Sequence, residues 1–185
     1  MADTFETLLE KTSLEKITIS QIAEEGGIAR NTIYYHFKDK YDIVRWIHEE
    51  EKRNWPSIDT GADALENFHL NFAYMCIRKK DLFRNLTKGI EQNSLMRILG
   101  EAAMEDSRKI VGKEADAEIL YKIARLYVMG TLDLYREWIQ AGFPDTPEKI
   151  AHAAYLATPA CLAELEKKRI IELGEYKNRE ESAMS

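Results

Sequence analysis

Apolar residues recur three and four positions apart along most of this chain, and nowhere do they alternate with polar ones over the length of a strand. The pattern predicts an all-α protein. Ile19, Ile22 and Ala23 give a short first amphipathic segment one apolar face, with Thr18 placed to cap its free amides. Gly26 and Gly27 stop that helix. A second short helix runs from Ala29 to His36, turning Ile33 and Phe37 inward and leaving Arg30, Asn31, Thr32, Tyr34, Tyr35 and His36 outside. Asp39 caps the next helix, Lys40 to Arg53, which carries Ile43, Val44 and Ile47 at core spacing. Two short helices about a glycine turn, with a donor-rich outer face, form a helix-turn-helix, and this points to double-stranded DNA.

The rest of the chain continues in helices, about nine in all. After a break at Trp55-Pro56-Ser57, a long helix is expected over 62–80, with Leu65, Phe68, Phe72, Met75 and Cys76 on one side. Shorter ones follow over 81–87 and 93–111, the latter carrying Leu95, Ile98, Leu99 and Ala102. Residues 116–141 place Ile119, Leu120, Ile123, Ala124, Tyr127, Val128, Leu132, Trp138 and Ile139 on a wide apolar stripe that ends at Gly142. Thr146 and Pro147 open a final helix containing Ala151, Ala153, Ala154, Ala157, Ala160 and Ala163, small side chains that let another helix approach closely. Pro159, inside that helix, should remove one backbone bond and bend it. The last twenty residues, rich in Lys, Arg and Glu, are expected to extend it and then fray. Residues 54–61 form the natural boundary between an N-terminal unit, 1–53, and a larger helical one, 54–185.

Composition narrows the functional classes. A chain of 185 residues with 45% hydrophobic content can bury a sizeable core. No apolar run reaches the ~18 residues of a membrane span, and Met1 to Glu10 lacks the build of a secretory signal, so a cytoplasmic location is expected. Cys76 and Cys161 have no Cys-x-x-Cys spacing and read as reduced core residues rather than a redox switch. The formal net charge of −6 is awkward for a DNA binder, since phosphate neutralisation supplies most non-specific affinity. Locally, however, residues 30–45 hold Arg30, Lys38, Lys40 and Arg45 against Asp39 and Asp42. Binding should work through a small focused patch, with low background and clear salt dependence.

The run Ile22-Ala23, Gly27-Ile28, Thr32-Ile33-Tyr34, His36-Phe37 and Lys40 resembles the DNA-binding signature of the TetR/AcrR family of transcriptional regulators. Gly26, where alanine is usual, and Ala29, where serine or a similar cap is usual, depart from it. Only seventeen residues precede Thr18, so no basic N-terminal arm is expected. The resemblance implies that Arg30 and Asn31 face base edges, suiting guanine and adenine respectively. It likewise implies phosphate contacts from Thr32, Tyr34, His36 and Lys40, with Ser20 a further candidate and Tyr35 able to do either. The plainer alternatives are that Arg30 and Lys40 are solvated surface charges and that Tyr34 packs on the module's own core.

The stretch Gly130, Trp138 and Gly142-Phe143-Pro144 is similar to the C-terminal half of a subgroup of these regulators, those of dihydroxyacetone-kinase operons. In the family the last two long helices pair as a four-helix bundle between two subunits. The resemblance thus implies a homodimer with Tyr127, Trp138, Ala153, Ala154, Ala157 and Cys161 at its interface, against the alternative that these helices complete a monomeric core. A symmetric pair sets two reading helices about one DNA turn apart, ~34 Å, and selects a palindromic operator. The family also implies an unidentified small-molecule effector bound in the larger unit. The candidates to line its pocket are Phe68, Phe72, Met75, Phe83, Met96, Met104 and Tyr121, whose spacing is equally that of an ordinary core.

The expected function is a ligand-responsive repressor; an activator, or a protein-binding adaptor of the same fold, is the alternative. No cofactor is expected. A distant enzymatic reading rests on Glu66 and His69, whose spacing suits a di-iron helical bundle. That site needs a second Glu-x-x-His and two more inward glutamates, and no second copy exists; Glu148 and His152 are an isolated pair four apart. No nucleotide-binding glycine loop or nucleophile elbow is present, so the chain is read as a non-enzyme.

Overall fold

The structure, a computed structural model, describes residues 2–55, 64–87, 95–112, 114–165 and 167. Among these it is all-helical: α1 (Ala2–Lys11), a 3-10 turn (Leu14–Lys16), α2 (Ile19–Glu25), α3 (Arg30–His36), α4 (Lys40–Arg53), α5 (Ala64–Arg78), α6 (Lys80–Leu86), α7 (Leu95–Val111), α8 (Ala117–Gln140) and α9 (Pro147–Leu156). The boundary expected over 54–61 and the extension of the last twenty residues fall mostly outside the described residues.

The first four helices form a small head around Phe5, Leu9, Leu14, Ile17, Ile22, Ile33 and Ile43, all buried. In the remaining body α5 is the central helix, buried on nearly every side from His69 to Cys76, and packs along α9 while α7 packs along α8. Gly100 permits the second pairing: a Cβ there would lie 2.9 Å from the Met129 methyl and 3.3 Å from Leu132. Phe68 departs from the inward stripe read for this helix. It is 41% exposed and lies edge-on to Trp55, ring centroids 5.4 Å apart.

Helix ends follow local chemistry. The Thr18 hydroxyl accepts from the Gln21 amide while the Gln21 side chain accepts from the Thr18 amide, a reciprocal cap. Two helix C-termini use a left-handed glycine: Gly27 at φ 61° and Gly142 at φ 85°. After Gly142, the Phe143 amide reaches back to the Trp138 carbonyl at 2.9 Å and the Phe143 ring packs on Trp138 with centroids 4.9 Å apart, closing the end with an apolar clasp.

Pro159 does more than bend the final helix. α9 stops at Leu156, and helical structure resumes only at residue 160. Proline has no N–H and disfavours helical backbone in the residue before it, here Thr158. The interrupted turn is held by side chains: Thr158 donates to the Tyr127 hydroxyl at 2.8 Å, and Tyr127 donates to the Ala154 carbonyl at 3.3 Å.

Head and body are joined by polar clamps. The Lys79 ammonium, at the α5–α6 corner, donates to both Glu6 oxygens of α1 at 2.7 and 2.9 Å and to Glu51 of α4 at 2.7 Å. Asn85 of α6 donates to the carbonyls of Leu9 and Glu10, which end α1, at 3.0 and 2.7 Å. Burial draws the Lys79 pKa down, but its hydrogen bonds to Glu51 and Glu6 outweigh this and leave it above 10.5. A raised folded pKa contributes stability that is fully present below 10.5 and lost as pH rises through the folded value. Lys79→Ala, which leaves two half-buried carboxylates facing each other, is expected to cost about 1–3 kcal/mol in urea unfolding near neutral pH. The difference from wild type should shrink in strong alkali; equal stability at pH 7 would show that the cluster has no net worth.

Candidate nucleic-acid interface

α3 buries Ile33 and presents nearly everything else. Arg30, Asn31, Thr32, Tyr34, Tyr35 and His36 are all exposed, Tyr35 to 86%. Ala29 stands at the cap position without a side-chain hydrogen bond, as its lack of a polar atom requires. Register is held from the far end instead, where Phe37 packs edge-on to Trp46 with centroids 5.7 Å apart, and Asp39 accepts from the amides of Tyr41 and Asp42 at 2.8 and 3.0 Å. Ser20, second residue of α2, lies beside the start of α3: Arg30 donates from Nη1 to its Oγ at 3.0 Å. The Tyr35 and His36 rings meet edge-on at 5.0 Å.

Lys40, expected at a phosphate, also has partners within the head. Its ammonium donates to the carbonyls of Glu15 and Ile17 at 2.9 and 2.8 Å, pinning the loop between the 3-10 turn and α2. Burial lowers its pKa, opposed by Glu15 and Asp39. Two of its three N–H bonds are therefore spent inside the head. The cations from residue 30 to 53 divide sharply. Arg45, Lys52 and Arg53 pair with Asp42, Glu49 and Glu50, whereas Arg30, Lys38 and Lys40 form no ion pair among the described residues. Lys38, two residues beyond α3, is exposed; it was counted in the cationic patch but assigned no contact of its own.

The residues expected at a pocket surround no ligand-sized cavity among the described residues. Met75 and Phe83 line a cavity of about 30 Å³ between head and body, together with Glu6, His48, Glu51 and Lys79. Phe72, Met96 and Met104 are buried, and Tyr121 lies half-buried under the Arg108 guanidinium, 4.9 Å from its ring centroid. Ligand pockets run to about 300–1,000 Å³, and a space of this size suits one or two water molecules.

Trp138 and Ala154, expected between subunits, are buried in the chain's own core, and Tyr127 bonds internally to His69 at 2.7 Å. Cys161 is half-buried, while Ala153 and Ala157 are exposed. The opposite side of α8 is the open one: Leu126 is 77% exposed, and Ile119 is exposed with it, as is Leu156 on α9; Met129, against Gly100 of α7, is partly open at the edge of this face. The Glu66 and His69 pairing for a metal is not formed either, because Glu66 turns to His152 Nδ1 at 2.8 Å and His69 to Tyr127. Glu148 bonds to the Tyr74 hydroxyl. Among the described residues no group of three or more His, Cys, Asp or Glu is placed to hold a metal ion. None of their helices is long and apolar enough to cross a membrane.

A donor-rich helix held outward by a glycine turn, on a small head joined to an all-helical body, is the architecture of a helix-turn-helix transcriptional regulator. Residues 6–47 match the family of bacterial regulatory proteins, tetR family, so the head is a tetR-type module. Over most of the chain the fold is that of solved tetR regulators. The structure described as dihydroxyacetone kinase operon activator DhaS is 18% identical, with TM-score 0.53 over 89% of this chain and 93% of that one. A TetR transcriptional regulator from Rhodococcus sp. RHA1 is 16% identical, with TM-score 0.54 over 89% and 95%. At these identities the likeness is one of fold. No curated protein matches the chain significantly in sequence.

Proposed function

We propose that this protein is a DNA-binding transcriptional regulator that reads a palindromic operator as a homodimer. One observation carries the reading: the whole outer face of α3 is exposed, donor-rich and free of carboxylates, in a module of tetR type. Arg30, Asn31 and Tyr35 face the bases; Thr32, Tyr34, His36 and Lys38 grip phosphates, with one remaining N–H of Lys40. Selection of bound duplexes from a random pool should return a palindrome; recovery of no shared sequence would remove the proposal. Arg30→Ala should cost about 1–3 kcal/mol on the selected site and relax preference at one base pair.

The second copy docks on the open side of α8 and α9, with Ile119, Leu126, Met129, Ala153, Leu156 and Ala157 in contact. Their exposure on two adjacent helices supports this, because a monomer gains nothing by keeping Leu126 in water. Leu126→Glu should raise the dimer dissociation constant at least about a hundredfold, since it buries a charge where an apolar side chain was. Sedimentation equilibrium measures this, and an undiminished dimer would move the interface elsewhere. Effector response is part of the proposal. Since the present cavity is small, an effector acts by favouring a conformation in which the head–body junction opens. Repression is the simplest outcome for an operator overlapping a promoter; the DhaS likeness keeps activation as the second reading.

A further inference from the structure

We infer that Ser20 is a positioning residue for sequence reading: it holds the Arg30 guanidinium in the pose that reads a base. This inference rests on the proposal that Arg30 faces DNA. Ser20 and Arg30 come from different helices, ten residues apart, and both lie at the N-terminal ends of their helices on the exposed side of the head. The bond joins Arg30 Nη1 to Ser20 Oγ at 3.0 Å. That choice of nitrogen matters chemically. A two-pronged contact with guanine needs two N–H groups on one edge of the guanidinium, and holding Nη1 leaves the edge formed by Nε and Nη2 complete. Ser20 accepts in this bond, so its own O–H proton remains available to a phosphate oxygen. One hydroxyl can thereby link the position of the DNA backbone to the pose of the base-reading arginine. No carboxylate takes Arg30 in an ion pair among the described residues, so the serine restrains the side chain without cancelling its charge.

A long arginine held before binding loses less rotamer freedom on contact, which favours the base it was set to read over the others. The same hydroxyl acting only on phosphate would help every sequence alike. The test compares full-length wild type, Ser20→Ala, Ser20→Thr, Arg30→Ala and the double variant on duplexes selected from a random pool by the wild type, with every single-base change in one half-site. Thr18 still caps α2 in the serine variants, and thermal melting confirms their folding. Ser20→Ala should weaken preference about three- to tenfold at the one base pair where Arg30→Ala abolishes it. Ser20→Thr should restore it, and the double variant should discriminate no worse than Arg30→Ala. If Arg30→Ala is selective but Ser20→Ala weakens all sequences equally, or none, the inference is wrong while the reading role of Arg30 stands. If Arg30→Ala leaves every preference intact, the reading role itself fails and the inference goes with it.

Discussion

Trp138→Ala is expected to destabilise the folded chain by about 3–5 kcal/mol, the largest effect of any single truncation considered. The indole is only 3% exposed, sits 4.9 Å from the Phe143 ring and 6.2 Å from that of Tyr135, and donates from Nε1 to the Asp145 carbonyl at 2.9 Å. Removing it opens a cavity at the clasp that ends α8 and leaves that carbonyl without its donor. Urea unfolding at fixed protein concentration measures the loss, and sedimentation of the folded variant checks assembly. An unchanged unfolding midpoint with loss of the dimer would instead place Trp138 between subunits.

Acidification should weaken the same molecule at a different point, the junction of head and body. His48 lies on α4 against the cavity wall, edge-on to Trp55 and Phe72 with ring centroids 6.3 and 6.1 Å away. Burial, aided by the neighbouring Lys52 and opposed by Glu49 and Glu51, pushes its pKa down to about 4. Across the cavity the facing charged groups are Glu6 of α1 and Lys79. A depressed histidine pKa means that the unfolded chain takes up the proton first. Stability is therefore complete above about pH 6.5 and falls as pH drops toward 4. The gap between those values amounts to about 3 kcal/mol. His48→Gln should remove that part of the slope, so its stability and the wild type's should converge as pH falls from 7 to 4. Parallel pH profiles in the two proteins would show that His48 is not the group responsible.

The head was legible in the sequence because its rules are local. Thr18, Gly27, Ile33 and Asp39 each act within one turn of the residues they organise, and all four do in the structure what their types dictate. The helix end at Gly142 and the cap at Thr146 were legible for the same reason. The outward residues of α3 followed from Ile33, since one buried position sets the outward direction of a short helix; the contacts assigned to them came from the family resemblance.

Longer-range choices were not legible. Nothing local announced that Lys40 would bind two carbonyls of the head, because they lie 25 and 23 residues back along the chain. Ser20 and Arg30 gave no pairwise signal, and Lys79 meets Glu6 across 73 residues. On α8 the wide apolar stripe did not stay on one side: Ala124, Trp138 and Ile139 are buried while Ile119 is exposed, and Leu126, which lay outside that stripe, is exposed with it. Helical periodicity establishes that a helix is apolar on a given side, because that depends on spacing along one backbone. Which neighbour covers that side depends on how the other helices stack, and for α8 that stacking turned Trp138 inward and left Leu126 in solvent.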